Sequence, residues 1–319
     1  MKILITGVAG FIGFHIAKDF LKNSNIHVYG IDNFDNYYSI KYKKFRVNIL
    51  KKNKRFYFKN LDIRNNKKLR KYLDKKKFDY VFHMAAQAGV RFSYEQPEKY
   101  INTNIYAFLN LLKCLEGKVN HKIFYASSSS VYGDTNKFPT KELDKLNPKN
   151  IYGVSKMLNE RTADFFSRIY NYKIIGLRFF TVYGEWGRPD MFFMKLLNSL
   201  FNKSTFYLNN KGKHDRDFTY IKDVINIIKR LMIIKLNKHE VFNICSSKPI
   251  NIKKIIKNND FFKNIKLRYR SLHKADVLKT HGSNSKLRNK IGFFKFTNSK
   301  SGILETFNWY KRNEIYKIF

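Results

Sequence analysis

Cysteine is almost missing from this chain: Cys114 and Cys245 are the only two among 319 residues. Neither sits in metal or redox spacing, so a disulfide framework and a zinc module are both excluded. A reducing, cytoplasmic setting is expected. Long hydrophobic runs are absent too. No stretch approaches the ~18 apolar residues of a membrane span. The opening MKILITGVAGFIG is broken by glycines and has no small-residue cleavage site of the signal-peptide kind. No membrane partner is expected. The histidines show no HExxH-like spacing, so no metal is expected either, and His83, at the end of an apolar run, reads as packed.

Acidic residues are scarce, 24 against 63 basic ones, for a formal net charge of +39. Such a balance invites a polyanion-binding reading. Its make-up argues otherwise, since 48 of the basic residues are lysine and only 15 arginine. Lysine, asparagine, isoleucine, phenylalanine and tyrosine, all abundant here, have codons that can be written with A and T alone. The lysines are spread through helix-like stretches such as KKNKRF and NNKKLRKYLDKKK rather than gathered in one arm. Genome bias is the simpler cause. No specific nucleic-acid partner is expected, only salt-sensitive adhesion to polyanions.

With 44% hydrophobic and 17% aromatic residues, the chain can bury a sizeable core. Its length predicts two domains, or one large domain with a lobe. Through residue 180, short apolar runs (KILIT, HVYGID, RFYFKNLD, DYVFHMA, KIFYASS, KIIGLRFF) alternate with amphipathic segments. The latter include FIGFHIAKDFLKN, PEKYINTNIYAFLNLLKCLEG and YGVSKMLNERTADFFSRIY. That alternation predicts an α/β fold built on a doubly wound parallel sheet, whose ligands sit beyond the carboxyl ends of the strands. Residues 1–180 are expected to form a Rossmann-type domain. Residues 181–319 lose the alternation and predict a smaller mixed α/β lobe for substrate, with some interleaving of segments.

The turn ITGVAGFIG places Gly7, Gly10 and Gly13, with Phe11 and Ile12 between them, at the junction of first strand and first helix. Glycines there allow a pyrophosphate to approach the helix N-terminus, where free amides and the helix dipole favour anions. Asp32 closes the second strand 19 residues after Gly13. A carboxylate at that point can hold ribose hydroxyls and repel the extra phosphate of NADP, so NAD is the expected cofactor. Tyr152 and Lys156 lie four apart, on one helix face. A phenol titrates near ~10, too high for a base near neutrality, unless a neighbouring cation favours its anion. The run YASSSSVYG puts a row of hydroxyls at the end of an apolar strand, a place where ligands are expected rather than a flexible linker.

Together AAQAGVRFS, SSSSVYG, YGVSK, LRFFTVYGEWGRPDM and RDFTYI resemble the extended short-chain dehydrogenase/reductases that epimerise or dehydrate nucleotide sugars. Within that family, UDP-glucuronate 4-epimerases are the nearest match, over nearly the whole chain. The resemblance implies that Tyr152 is the base, Lys156 its electrostatic partner and Ser128 the third catalytic member. It also implies that Asp62 and Ile63 flank adenine, and that Ala85, Ala86 and Gln87 line the cofactor. Ser127, Ser128, Ser129 and Thr181 become hydroxyl donors to the sugar, Arg188 a candidate for an anion, Arg216 a diphosphate ligand and Asp276 a uridine or ribose contact.

Dehydratases of this superfamily carry an acidic pair in a TDEVYG-like stretch, and decarboxylases resemble TSEVYG, whereas this chain has only hydroxyls there. It departs from its relatives at Lys222, where they usually carry an acid. Arg178 reads as structural. The implied reaction is 4-epimerisation of a UDP-sugar through a transient 4-keto sugar, with UDP-glucuronate and UDP-galacturonate as the expected pair. Two other readings stay open: an epimerase of UDP-glucose or a UDP-N-acetylhexosamine, and a degenerate polyanion-binding relative. The apolar segments Tyr100–Leu115 and Tyr152–Tyr170 imply, through the same resemblance, a homodimer.

Overall fold

The computed structural model describes residues 1–318. Its core is a seven-stranded sheet in the order β10-β6-β5-β4-β1-β2-β3, with every neighbouring pair parallel. These strands are β1 (Lys2–Thr6), β2 (His27–Asp32), β3 (Phe56–Asn60), β4 (Phe78–His83), β5 (Val119–Ser128), β6 (Ile174–Phe179) and, from much later in the chain, β10 (His239–Ile244). Parallel strands covered on both faces need continuous apolar runs, and β6, buried at every residue, shows this most fully. The order in which strands are added reverses between β1 and β4, so a crevice opens beyond their carboxyl ends.

The smaller lobe carries β7 (Thr181–Tyr183), β9 (Asp215–Tyr220) and β11 (Pro249–Asn251) in one three-stranded sheet, ordered β11-β9-β7. A pair, β8 (Phe206–Asn209) and β12 (Leu267–Arg270), makes a second, parallel one. β10 crosses back to complete the large sheet beside β6, so that sheet recruits a segment from well beyond residue 180. One hydrophobic cluster runs without a break from Ile3 and Phe14 to Trp309 and Tyr310. The lobe therefore packs directly on the sheet.

Most of the expected strands form within a residue or two of their apolar runs. The segment from Pro97 to Cys114 does not form one regular helix. It divides into Pro97–Tyr100, a widened π-helical turn over Ile101–Tyr106, and Ala107–Cys114. The widened turn holds the buried Asn104. Its side chain accepts from the Gln87 amide (2.7 Å) and donates to the Gln87 carbonyl (3.1 Å) and Ser155 Oγ (2.9 Å). A polar residue that pins three groups outweighs ideal helical spacing here, and such turns recur near functional sites. Among the described residues, no helix is long and apolar enough to cross a membrane.

Candidate functional site

Two cavities meet at the carboxyl ends of the strands. The smaller, of about 360 Å³, is lined by Gly7, Gly10, Phe11, Ile12 and Gly13 at one end and by Ser128, Tyr152 and Lys156 at the other. Asp32, Asp62, Ile63, Ala85, Ala86 and Gln87 line it between, so every residue expected at the cofactor falls on one surface. Gly7 has φ +71°, and a β-carbon there would lie 2.5 Å from the Ala85 nitrogen. Only glycine satisfies both demands. No side chain caps the first helix, Phe11–Phe20, whose first-turn amides are thus free for a ligand.

Asp32 accepts from the amides of Ala9 (3.0 Å) and Phe34 (2.9 Å), which fixes its carboxylate beside the turn. Burial raises its pKa, while those amides and the nearby Lys43 and Arg46 work against the rise. Gln87 is buried, and its Nε2 has no hydrogen-bond partner. An orphaned donor in this cavity, a glycine cradle and uncapped amides together fit a dinucleotide. Asp32→Ala should therefore narrow a preference for NAD over NADP, measured as the ratio of their dissociation constants. NADP binding tighter than NAD in the unmodified protein would contradict the role of Asp32.

Tyr152 projects from the helix Ile151–Ile169, which starts at Asn150, whose side chain accepts from the Gly153 amide (2.9 Å). A β-carbon at Gly153 would lie 2.5 Å from the Ser130 carbonyl oxygen, so glycine lets this helix press onto the serine turn. The close approach brings Ser128 to the Tyr152 phenol. Burial raises the phenol's pKa, and the Ser128 hydroxyl, by hydrogen bonding, and the Arg188 charge both oppose that rise. Lys156 donates to the Ala126 carbonyl (2.8 Å), with its ammonium 6.0 Å from the Tyr152 ring centre. Burial lowers its pKa to about 7. A bound anion or hydroxyl would restore the charged form.

The serine row divides by its direction along the strand. Ser127 donates to Glu160 Oε1 (2.6 Å), and Glu160 is in turn clasped by Arg178 at 2.7 and 2.8 Å. Its hydroxyl is thus engaged in a buried network, while the residue also lines the smaller cavity. Ser129 and Thr181 line both cavities, together with Arg188. His83 is packed as expected: it bonds Thr6 Oγ1 (2.8 Å), stacks on Phe108, and burial lowers its pKa to about 3.

The larger cavity, about 820 Å³, lies between the sheet and the lobe. Arg216 lines it, its guanidinium donating to the carbonyls of Asp215, Val277 and Leu278. None of these acceptors is a carboxylate, and burial lowers its pKa to about 10, so an entering anion would relieve a desolvated charge. Asp276 is occupied: Arg91 holds it at 2.7 and 3.2 Å across the cleft. A uridine or ribose contact there would have to compete with this pair. Arg91, Tyr37 and Asp190 were not singled out from sequence, although Arg91 stands inside AAQAGVRFS and Asp190 two residues after Arg188. Among the described residues no cluster of acidic, histidine or cysteine side chains could hold a metal ion.

Fold and site together define a dinucleotide-binding enzyme with a second cleft for a large anionic ligand. The chain belongs to the NAD dependent epimerase/dehydratase family, whose model matches residues 3–245. It is 38% identical over 98% of its length to an uncharacterized protein of Methanocaldococcus jannaschii, MJ1055, and spans 97% of that relative. It is 34% identical to UDP-glucuronate 4-epimerase 4 of Arabidopsis thaliana, over 97% of this chain and 75% of that one. Among solved structures, the UDP-glucuronic acid 4-epimerase of Bacillus cereus, in complex with UDP-glucuronic acid and NAD, superposes with a TM-score of 0.89. The match covers 98% of this chain and all of that one, at 31% identity.

Proposed function

We propose that this protein is an NAD-dependent 4-epimerase of UDP-sugars that interconverts UDP-glucuronate and UDP-galacturonate. The observation that carries the reading is chemical. Around Tyr152 stand Ser128, Ser129, Ser130 and Thr181, all neutral hydroxyls, the serine run carries no acidic residue, and the nearby Glu160 carboxylate is held by Ser127 and Arg178. An elimination of water needs such an acid; exchange of configuration at C4 does not. Tyr152 takes the O4 proton as general base, and Ser128 steadies the phenolate by hydrogen bonding. Lys156, once charged, favours that phenolate from the same helix face. NAD, when bound, supplies hydride acceptance and return at C4.

The Arg216 guanidinium and the helix-start amides would hold the two diphosphates, leaving the hexose free to turn between the cavities. Ser129 and Thr181 offer the sugar neutral donors. Donors left unpaired by an analogue are costly, so a hydroxymethyl sugar should fit poorly. The two free, buried thiols of Cys114 and Cys245 support a cytoplasmic setting. The test is a panel of UDP-sugars incubated with protein and NAD, products being identified by NMR. UDP-galacturonate should form from UDP-glucuronate. Equal efficiency on UDP-glucose would overturn the carboxylate preference.

We also read the protein as a homodimer. Leu158, Phe165 and Ile169, spaced seven and four apart, share one helix face and are 37%, 52% and 58% exposed. Ile101 and Tyr106, on the adjoining widened turn, are 42% and 51% exposed. Apolar side chains gathered on neighbouring helices favour an isologous contact with a second copy. Light scattering at micromolar concentration should give twice the chain mass, and Phe165→Glu should halve it. A monomeric mass for the unmodified protein would refute the dimer.

A further inference from the structure

Arg188 is the one basic side chain, among the described residues, that lines both the cofactor and the substrate cavity. It is not a free cation. Its Nε donates to Asp190 Oδ1 (2.9 Å) and its Nη2 to Oδ2 (2.7 Å), a two-point clasp. The Tyr37 hydroxyl, arriving from the loop after β2, donates to the same Oδ2 (3.1 Å) and so holds the carboxylate in place. The guanidinium also stands 5.9 Å from the Tyr37 ring centre. Both charged side chains are about three-quarters covered, at 23% and 25% exposure. Nη1 alone makes no hydrogen bond within the described residues.

We propose that Asp190 is a positioning residue that sets specificity through Arg188: as a resident counter-charge, it keeps a sugar carboxylate from being clamped. This deepens, and rests on, the UDP-glucuronate reading. A bare arginine offers a carboxylate two parallel hydrogen bonds and a full charge, the tightest grip available to an anion here. Such a grip is wrong for an epimerase, whose sugar must release one face and present the other. With Asp190 on the Nε–Nη2 edge, an entering carboxylate finds only the opposite Nη1–Nη2 end, on a guanidinium whose charge Asp190 already offsets. Recognition then falls to the neutral hydroxyls of Ser129 and Thr181, which can be exchanged as the ring turns. A second carboxylate close to Asp190 is also repelled, which opposes overly tight binding in either orientation.

Asp190→Asn removes the charge but keeps the shape and an oxygen for the Tyr37 hydroxyl. Binding is read by calorimetry on the NAD-loaded protein in a Tyr152→Phe background, so that no turnover interferes. UDP-glucuronate should bind about tenfold tighter in Asp190→Asn, while UDP-glucose and UDP change less than about twofold. In the catalytically intact chain, KM and kcat for UDP-glucuronate should fall together, as expected when binding is gained in the ground state but not in the transition state. Asp190→Ser, which adds no amide beside Arg188, should tighten UDP-glucuronate binding in the same sense. Unchanged UDP affinity shows that the cleft is formed in either variant. Equal shifts for UDP-glucuronate and UDP-glucose, or weaker UDP-glucuronate binding with UDP affinity intact, would overturn the proposal. Failure of the UDP-glucuronate reading has a different signature: the unmodified protein would not turn that substrate over at all.

Discussion

Tyr152→Phe should lower nucleotide-sugar turnover by ~10²–10⁴-fold, the usual worth of a general base, while leaving NAD binding and thermal stability nearly unchanged. The substitution deletes one oxygen and keeps the ring, which packs at 6.2 Å edge-on to Tyr100. The oxygen's partner is the Ser128 hydroxyl, at the site rather than in the core. The helix is started by Asn150 and seated by Gly153, both independent of the phenol. What the oxygen has is a setting for proton transfer: Ser128 beside it, Arg188 lowering its pKa against burial, and Lys156 one turn along. Single-turnover assays with UDP-glucuronate and NAD check the rate, and NAD titration checks the site. Retention of more than half the activity would remove Tyr152 from the chemistry.

Arg178→Met is expected to act on stability. Arg178 and Glu160 are 4% and 7% exposed and bonded at 2.7 and 2.8 Å, and Arg178 also donates to the Tyr132 hydroxyl (2.8 Å) and the Glu142 carbonyl (3.1 Å). Burial works against the arginine's charge, and the Glu160 carboxylate outweighs it, so the guanidinium stays ionised. Removing one partner strands the other as a buried charge, at a cost of about 3–5 kcal/mol. The damage should exceed what the lost packing of one side chain explains. Adding Glu160→Gln should then recover part of it, because the double variant buries no charge. Urea unfolding of the two single variants and the double one gives the coupling. A drop in stability of less than about 1 kcal/mol for Arg178→Met would show the pair to be dispensable.

Much of the site was legible because its signals are local. Strand, glycine turn and helix follow one another within residues 2–20, and Asp32 ends the next strand, so chain order alone places them around one ligand. Tyr152 and Lys156 are one helical turn apart, which any helix would align. The bond from Ser127 to Glu160 left no sequence signal, because strand alternation inside SSSS cannot be phased from four identical residues. The fold supplies it, by setting the Glu160 carboxylate against Ser127 and Arg178 beside it in register on β6. The widened turn at Ile101–Tyr106 left no pattern either, since it depends on Asn104 finding Gln87 and Ser155 from two other segments.

Local periodicity and spacing specified the doubly wound sheet and the dinucleotide turn, because each rests on a few neighbouring residues, whereas the proposal of Tyr152 as base came from the family resemblance of several motifs taken together. The tertiary structure decided which charges are free. Arg46, fully buried, reaches the Ala9 and Gly187 carbonyls at 2.8 and 3.2 Å and so ties the glycine turn to the loop of Arg188. Arg91 closes on Asp276 from 185 residues away, and Tyr37 steadies Asp190 across 153. Whether a charged group meets a ligand or a counter-ion depends on distances of a few ångströms between segments remote in the chain. Coulomb and hydrogen-bond energies vary over those distances, and no local pattern records them.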